Sequence, residues 1–432
     1  MTPSAQSEFY PICVIGGGLV GKMAALELAA KRSGHGTPEN PNIALIAPVA
    51  EIEDSRTTAM LMPAIEMLRQ LNLWEAIEPL TAALKTMRLI DGSQRLVRAP
   101  ITDFHSTEID LEAFGYNVPN ADMLRALDQA IEDLDAIAWI KSRAEIEHIG
   151  SDFATLRLDD DTTITCELIV AADGRNSAGR EAAGIRVSQW SYPQTAVVLN
   201  FTHTLPHNSV SAEFHTETGP FTQVPLPPSG NSQNRSSLVW MVRPDDADHL
   251  INMSNDVLSF LVEEKLQSCY GKCSVETKPV AIPMQGMTAQ KFGDNRTVLV
   301  GESGHVFPPI GAQGFNLGMR DLRDLVSVLA AHTGDPGSTE VTNHYDRLRQ
   351  VDVKARTAGV DAMNRSLLTN FLPVQVARAA GLSALGSITT ARKIAMLQGI
   401  GMESRIRSLF TAPGKDLLAR FRSQSDTATR SQ

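Results

Sequence analysis

Residues 10–32 read YPICVIGGGLVGKMAALELAAKR, and this stretch decides the fold. An apolar run rich in β-branched residues meets the turn Gly16-Gly17-Gly18-Leu19-Val20-Gly21. It then passes into strong helix formers with small residues along one side. The spacing gives each glycine a task. Gly16 permits the tight turn, Gly18 lets a pyrophosphate approach the backbone, and Gly21 allows helix and strand to pack closely. The helix start offers unpaired N–H groups to phosphate. A glycine run alone is also a plain strand-to-helix turn, but the strand before it and the helix after it point to dinucleotide binding. A second apolar strand, Ile43-Ala44-Leu45-Ile46-Ala47-Pro48, completes a βαβ unit. Such units place an acid at this strand's tip for the adenosine ribose. Here Ala47 and Pro48 stand there, and Glu51 and Glu53 substitute only if the loop folds back.

Outside this unit the chain is long enough, at 432 residues, for two domains or one large fold with a second layer. With 43% hydrophobic and 20% charged residues it reads as an ordinary globular chain, not a disordered one. A formal net charge of −10 argues against nucleic acid as a partner. The charge is uneven: between Arg365 and Arg422 nine basic residues face two acids. Of the four cysteines, Cys13 sits in the first apolar run, and Cys269 and Cys273 lack a second pair at zinc-site spacing, so no metal site is expected. The start lacks a secretory pattern, and no apolar run has the length of a spanning helix, so a cytoplasmic enzyme is expected.

Along the chain, residues 56–78 have helical spacing through Met60, Ile65, Leu68, Leu71 and Leu73. Strands are expected near residues 87–92 and 94–100, and a helix at 121–133. A strand pair follows at 154–160 and 162–173, then a mainly β region from Tyr192 to Pro283 with a hairpin tip at 227–236. Helix signals return at Val257 to Leu266 and dominate after Asn316.

Two further motifs carry chemistry. Ala171-Ala172-Asp173-Gly174-Arg175-Asn176-Ser177 ends an apolar strand, which alone is a common turn. The segment Gly301-Glu302-Ser303-Gly304-His305 through Pro309, Gly311, Gln313, Gly314 and Asn316 follows another strand and enters an amphipathic helix bearing Leu322 and Leu325. A carboxylate at a strand end, a Pro/Gly loop and a helix start together grip hydroxyls and set N–H groups against an anion.

In order and spacing these three motifs resemble those of the class A flavoprotein monooxygenases, and most closely the ubiquinone-biosynthesis hydroxylases. Supporting matches span roughly residues 8 to 405. They include Asp54-Ser55-Arg56, Gly219-Pro220-Phe221, Val239-Trp240, and Tyr345 with Arg349 and Asp352. Two departures are Glu302, where the family usually has Asp, and the order Gly311-Ala312-Gln313-Gly314, which reverses the family's first two residues.

The resemblance implies an α/β fold: a Rossmann-like FAD-binding domain, an interleaved mainly-β substrate domain and a C-terminal helical region. Residues 8–80, 121–185 and 286–335 would form the FAD-binding parts, 81–120 and 186–285 the substrate domain, and 336–432 the helical region. It implies FAD held by Gly16, Gly18 and Gly21 at the pyrophosphate. Arg56 would lie near the ribose and phosphates, Asp173 and Gly174 at the flavin and nicotinamide approach, and Gly301 and Glu302 at the ribityl chain. Pro309, Gly311, Gln313, Gly314 and Asn316 would lie against the ring. NAD(P)H would reduce FAD, O2 would supply the oxygen, and a polyprenyl phenol or quinone precursor would be hydroxylated. His305 is read as loop support ahead of a catalytic base, and no catalytic residue is named. Phe214, Phe221 and Trp240 suit a substrate cavity or ordinary sheet core equally. The basic tail reads as a solvated helical cover or as a surface for anionic membrane or quinone-pathway enzymes. A hydroxylase of a soluble aromatic and a non-catalytic scaffold stay open beside the quinone-pathway enzyme.

Overall fold

The computed structural model describes residues 8–32, 41–49, 54–92, 100–308, 312–368 and 388–402. All but the last residue of the strand expected at 94–100, together with Glu51, Glu53, Pro309, Gly311 and most of the basic tail, lie outside the described residues.

The first sheet is built on Glu8–Ile15. Its parallel neighbours are Thr163–Ala171 on one side and Ile43–Ile46 on the other, with Thr297–Leu299 and Ile137–Ile140 beyond them. Ile12, Cys13 and Val14 are fully buried, as expected of a parallel strand covered on both faces. The helix Leu19–Arg32 packs against the sheet through Met23, Ala24, Ala25 and Leu28. An antiparallel hairpin, Ala144–Ile149 with Ala154–Leu158, extends the sheet from Thr163–Ala171.

The second sheet is antiparallel except for one parallel pairing, between Val210–Thr216 and Thr86–Asp91. Its centre is the 17-residue strand Val187–His203, flanked by Arg235–Val242 and Val280–Ala289. Because side chains alternate across a strand, the sheet has two distinct faces. One carries Val197, Leu199, Leu238 and Trp240 against the helices Pro244–Ile251 and Asn255–Lys265. The other carries Ala196, Val198, Val239, Ile282 and Met284. Phe214, Phe221 and Trp240 belong to the first face. They stack edge to face, with centroids 5.9 Å apart for Phe214–Phe221 and 5.3 Å for Phe221–Trp240, and so resolve as sheet core.

The helix expected over 56–78 begins later. Thr57–Leu61 is a strand paired antiparallel with Gly115–Pro119, and the helix is Met62–Gln70. Two β-branched threonines favour the extended start, and Pro63 in the first turn sets the boundary, since its missing N–H costs nothing there. The helix Gln313–Ala331 packs on Leu19–Arg32, and Thr339–Leu368 lies against it.

The segment after Val300 joins the two sheets. Val300 N–H bonds to Ala171 O at 3.0 Å on the first sheet, and His305–Val306 pairs with Val280–Ala289 on the second.

Candidate active site

The three motifs converge at the C-terminal ends of the parallel strands. Gly16 N–H bonds to Ile46 O at 3.1 Å and Ala172 N–H to Ile15 O at 2.8 Å, so the glycine turn and the Asp173 motif share one edge. Gly16 has φ +121°, and a Cβ there would lie 2.3 Å from Ala172 O. A Cβ on Gly21 would lie 2.0 Å from Gly16 O. These two positions shape the turn. Gly18 differs: a Cβ built on it meets nothing within 4 Å, and it lines a cleft of about 480 Å³.

In the second motif, Asp173 Oδ2 accepts the Gly179 N–H at 3.0 Å, while Oδ1 is buried without a protein partner. Ser177 caps the next helix by accepting the Arg180 N–H at 2.9 Å. Gly174 takes φ +80° and opens onto the cleft, and Arg175 after it reaches toward Glu302, with 3.4 Å between Nη2 and Oε2. Glu302 follows Gly301, which itself has φ +65°. Both charged side chains are about half exposed on the rim.

Arg56 is clamped by Asp54 through two hydrogen bonds of 2.8 Å, and Asn120 donates to the same carboxylate at 3.0 Å. Burial raises the Asp54 carboxyl, but the hydrogen bonds from Arg56 and Asn120 outweigh it and hold it below the usual range. At the adenosine end Ala47 packs under the turn: a Cβ on Gly17 would lie 2.8 Å from the Ala47 Cβ.

Of the residues singled out in the sequence, Gly18, Arg56, Gly174, Gly301, Glu302, Gln313 and Gly314 line the cleft. Gly16, Gly21 and Asp173 stand behind it. Asn316 turns away from it: its Oδ1 accepts the Leu61 N–H at 2.8 Å and its Nδ2 donates to Ala59 O and Ala312 O, both at 2.7 Å. It fastens the helix start to the strand Thr57–Leu61. Pro309 and Gly311 lie outside the described residues.

His305 is buried and bonds through Nε2 to Asp321, itself fully buried, at 2.7 Å. This favours loop support. Asp321 was missed in the sequence, although a signal exists: it lies four residues from both Leu317 and Leu325, on the apolar face of its helix. A carboxylate on a buried stripe demands a partner, and Arg349 provides one from the facing helix at 2.7 Å.

The cleft fits FAD in particular respects. Gly18, Gly174 and Gly314 leave open space where side chains would intrude, two helix N-termini are available to anionic groups, and the polar rim matches a sugar-like chain. A family model described as "FAD binding domain" matches residues 10–358. The chain belongs to that family. A ubiquinone hydroxylase of Rhodospirillum rubrum is 28% identical over 398 residues, covering 90% of this chain and 89% of that protein. The 3-demethoxyubiquinol 3-hydroxylase of Escherichia coli is 28% identical over 397 residues, covering 90% of this chain and 98% of its own length. The crystal structure of p-nitrophenol 4-monooxygenase from Pseudomonas putida superposes with a TM-score of 0.73 at 15% identity, over 91% of this chain and 99% of the other. The protein is therefore an FAD-dependent monooxygenase with the fold of the class A enzymes.

Proposed function

We propose that the substrate is a neutral, prenylated phenol or quinol precursor of ubiquinone, hydroxylated on its aromatic ring with electrons from NAD(P)H and oxygen from O2. The observation that carries this reading is the wall that the second sheet gives the cleft. It consists of Ala196, Val198, Val239, Ile282, Pro283, Met284 and Val306 with the neutral polar residues Ser237 and Gln285. The four charged lining residues, Asp54, Arg56, Arg175 and Glu302, all come from other segments. A soluble aromatic acid would bury its carboxylate against that wall without a partner, at a cost of several kcal/mol. An apolar ring with a prenyl tail meets matching surface. The names of the two curated relatives, a ubiquinone hydroxylase and a demethoxyubiquinol hydroxylase, support the same substrate class.

Bound FAD supplies the redox chemistry, accepting electrons from the nicotinamide donor and activating O2. The chain does the rest. The turn at Gly18 and the start of Leu19–Arg32 would receive the pyrophosphate, and Glu302 would face the ribityl hydroxyls. The N–H groups opening the helix Gln313–Ala331 would oppose negative charge on the flavin when it is bound. Asp173 supports the turn through which the nicotinamide donor approaches. The second sheet contributes no titratable side chain to the cleft among the described residues.

Association with an anionic membrane surface or with quinone-pathway enzymes fits a polyprenyl substrate. Among the described residues, no helix is long and apolar enough to cross a membrane. Arg392 in the helix Thr389–Gly399 is engaged elsewhere: it pairs with Glu108 at 2.5 and 2.7 Å and lies 4.5 Å over the Phe104 ring. Any lipid contact therefore falls to other cations.

The decisive experiment is the quinone profile of a deletion strain. An accumulating under-hydroxylated prenyl phenol is expected. A normal profile, with purified enzyme oxidising a soluble aromatic acid, overturns the reading.

A further inference from the structure

Both described ends of the loop after Val300 are tied to a single buried arginine on a helix none of whose described residues lines the cleft. At the loop's start, Asp321 Oδ2 accepts the Gly301 N–H at 2.8 Å and bonds His305 Nε2 at 2.7 Å, while Oδ1 stands 2.7 Å from Arg349 Nε in an ion pair. At the loop's end, Arg349 meets Asp352 at 3.0 Å, and Asp352 accepts from Arg356 Nε at 3.2 Å. Arg356 in turn donates to Gln313 Oε1 at 3.4 Å. A third arm runs from Arg349 to Asp324 at 2.6 Å. Arg349 and Asp321 are fully buried. Gly301 and Gln313, where the two arms terminate, both line the cleft.

Helix packing alone needs no such arrangement. Well-packed apolar side chains replace buried ion pairs without loss of stability in many proteins, so a buried charged hub is weak evidence for a stabilising role. What fixed hydrogen-bond geometry adds is position: a planar guanidinium with three carboxylates around it has one low-energy arrangement. We infer that Arg349 is a positioning residue for the cofactor, setting the relation between Gly301 and Gln313 across the FAD cleft without touching it. The inference rests on the reading that this loop holds FAD.

The test titrates apo-protein with FAD and follows quenching of flavin fluorescence. Visible circular dichroism of the bound flavin and the melting temperature of the apo-protein are recorded alongside. Arg349→Met, where it folds, should weaken FAD binding about tenfold or more, as expected for losing charge-assisted contacts. Because that variant leaves the buried Asp321 carboxylate without its cation, Arg356→Gln is the second probe: it removes the link to Gln313 while Arg349 keeps its own ion pairs. It should weaken FAD about threefold and alter the dichroism, both by more than any shift in its apo melting temperature accounts for, with partial rescue by Arg356→Lys. Parental affinity and dichroism in both glutamine and methionine variants overturn the inference. So does a loss of affinity that merely follows the apo melting temperature. A parent protein that takes up no FAD overturns the underlying reading as well, and that is visible before any variant is made.

Discussion

Gly16 and Gly18 stand two residues apart in one turn, yet a methyl group added to each meets opposite surroundings. At Gly16 the methyl would lie 2.3 Å from Ala172 O on a backbone already at φ +121°. All the atoms it would meet, on Ala172 and Asp173, are backbone and do not yield cheaply. Gly16→Ala should cost about 3 kcal/mol of stability, read from urea unfolding of the apo-protein. At Gly18 the methyl meets no protein atom within 4 Å but protrudes into the cleft. Gly18→Ala should leave apo stability within about 0.5 kcal/mol of the parent and weaken FAD about tenfold or more. Equal losses of stability at the two positions would contradict the division of labour, as would tight FAD binding by the Gly18 variant. The glycine pattern was legible in the sequence because turn geometry admits few residue types. Which glycine faces protein and which faces ligand was legible only from spacing rules, and the open Cβ direction at Gly18 agrees with them. The side chain of Asn316 was not legible in this way. Its three backbone partners lie on Leu61, Ala59 and Ala312, and two of these belong to a strand far away in sequence.

At the level of elements, the strand Arg235–Val242 separates substrate from core by alternation alone. Val239 looks into the cleft, and Trp240, its neighbour, is packed beneath Phe221 on the opposite face. Val239→Phe should raise KM for a short-chain prenylated phenol while shifting stability by about 1 kcal/mol or less. Trp240→Ala should cost about 3–5 kcal/mol by leaving a cavity, with kcat/KM of the folded fraction unchanged. If the tryptophan variant loses substrate affinity at full stability, the two faces have been assigned the wrong way round. The strands themselves were readable from β-branched composition and turn signals. Their facing was not, because the periodicity of one strand fixes two faces without saying which is covered by helices. The same gap explains residues 57–61: helical spacing of Met60 with Ile65 and Leu68 carried across a boundary that Pro63 and the pairing with Gly115–Pro119 set. Long-range pairing overrode a local pattern.

On the scale of the whole molecule, burial of titratable groups far from the cleft sets how folding responds to pH. His203 sits 6% exposed behind the second sheet, held by Leu205 O at 2.7 Å and Ser236 Oγ at 2.9 Å; Ser236 also accepts from Gln223, which takes the Tyr270 hydroxyl. Burial lowers the His203 pKa, only partly countered by nearby backbone acceptors, and burial lowers His207 beside it as well. A histidine depressed in the folded state takes up its proton more readily in the unfolded chain. Its stabilising contribution is therefore complete above the unfolded value of about 6.5 and is lost as pH falls through the folded one. Asp352 adds a second, more acidic step. Burial raises it, but Arg320, Arg349 and Arg356 together hold it well below the ordinary carboxylate range. Its contribution persists above about pH 4 and disappears below. Urea midpoints of the apo-protein should thus fall in two stages, first as pH drops below about 6.5, then again below about pH 4. His203→Gln keeps a hydrogen-bonding side chain and removes the titration, so its midpoint should change less than the parent's over the first stage. A variant that reproduces the parental slope between those values would assign the loss to other groups. Neither stage was open to a reading of the sequence: His203 lies in an alternating strand like any other, and only the pairing of Val187–His203 with Arg235–Val242 brings Ser236 to its ring.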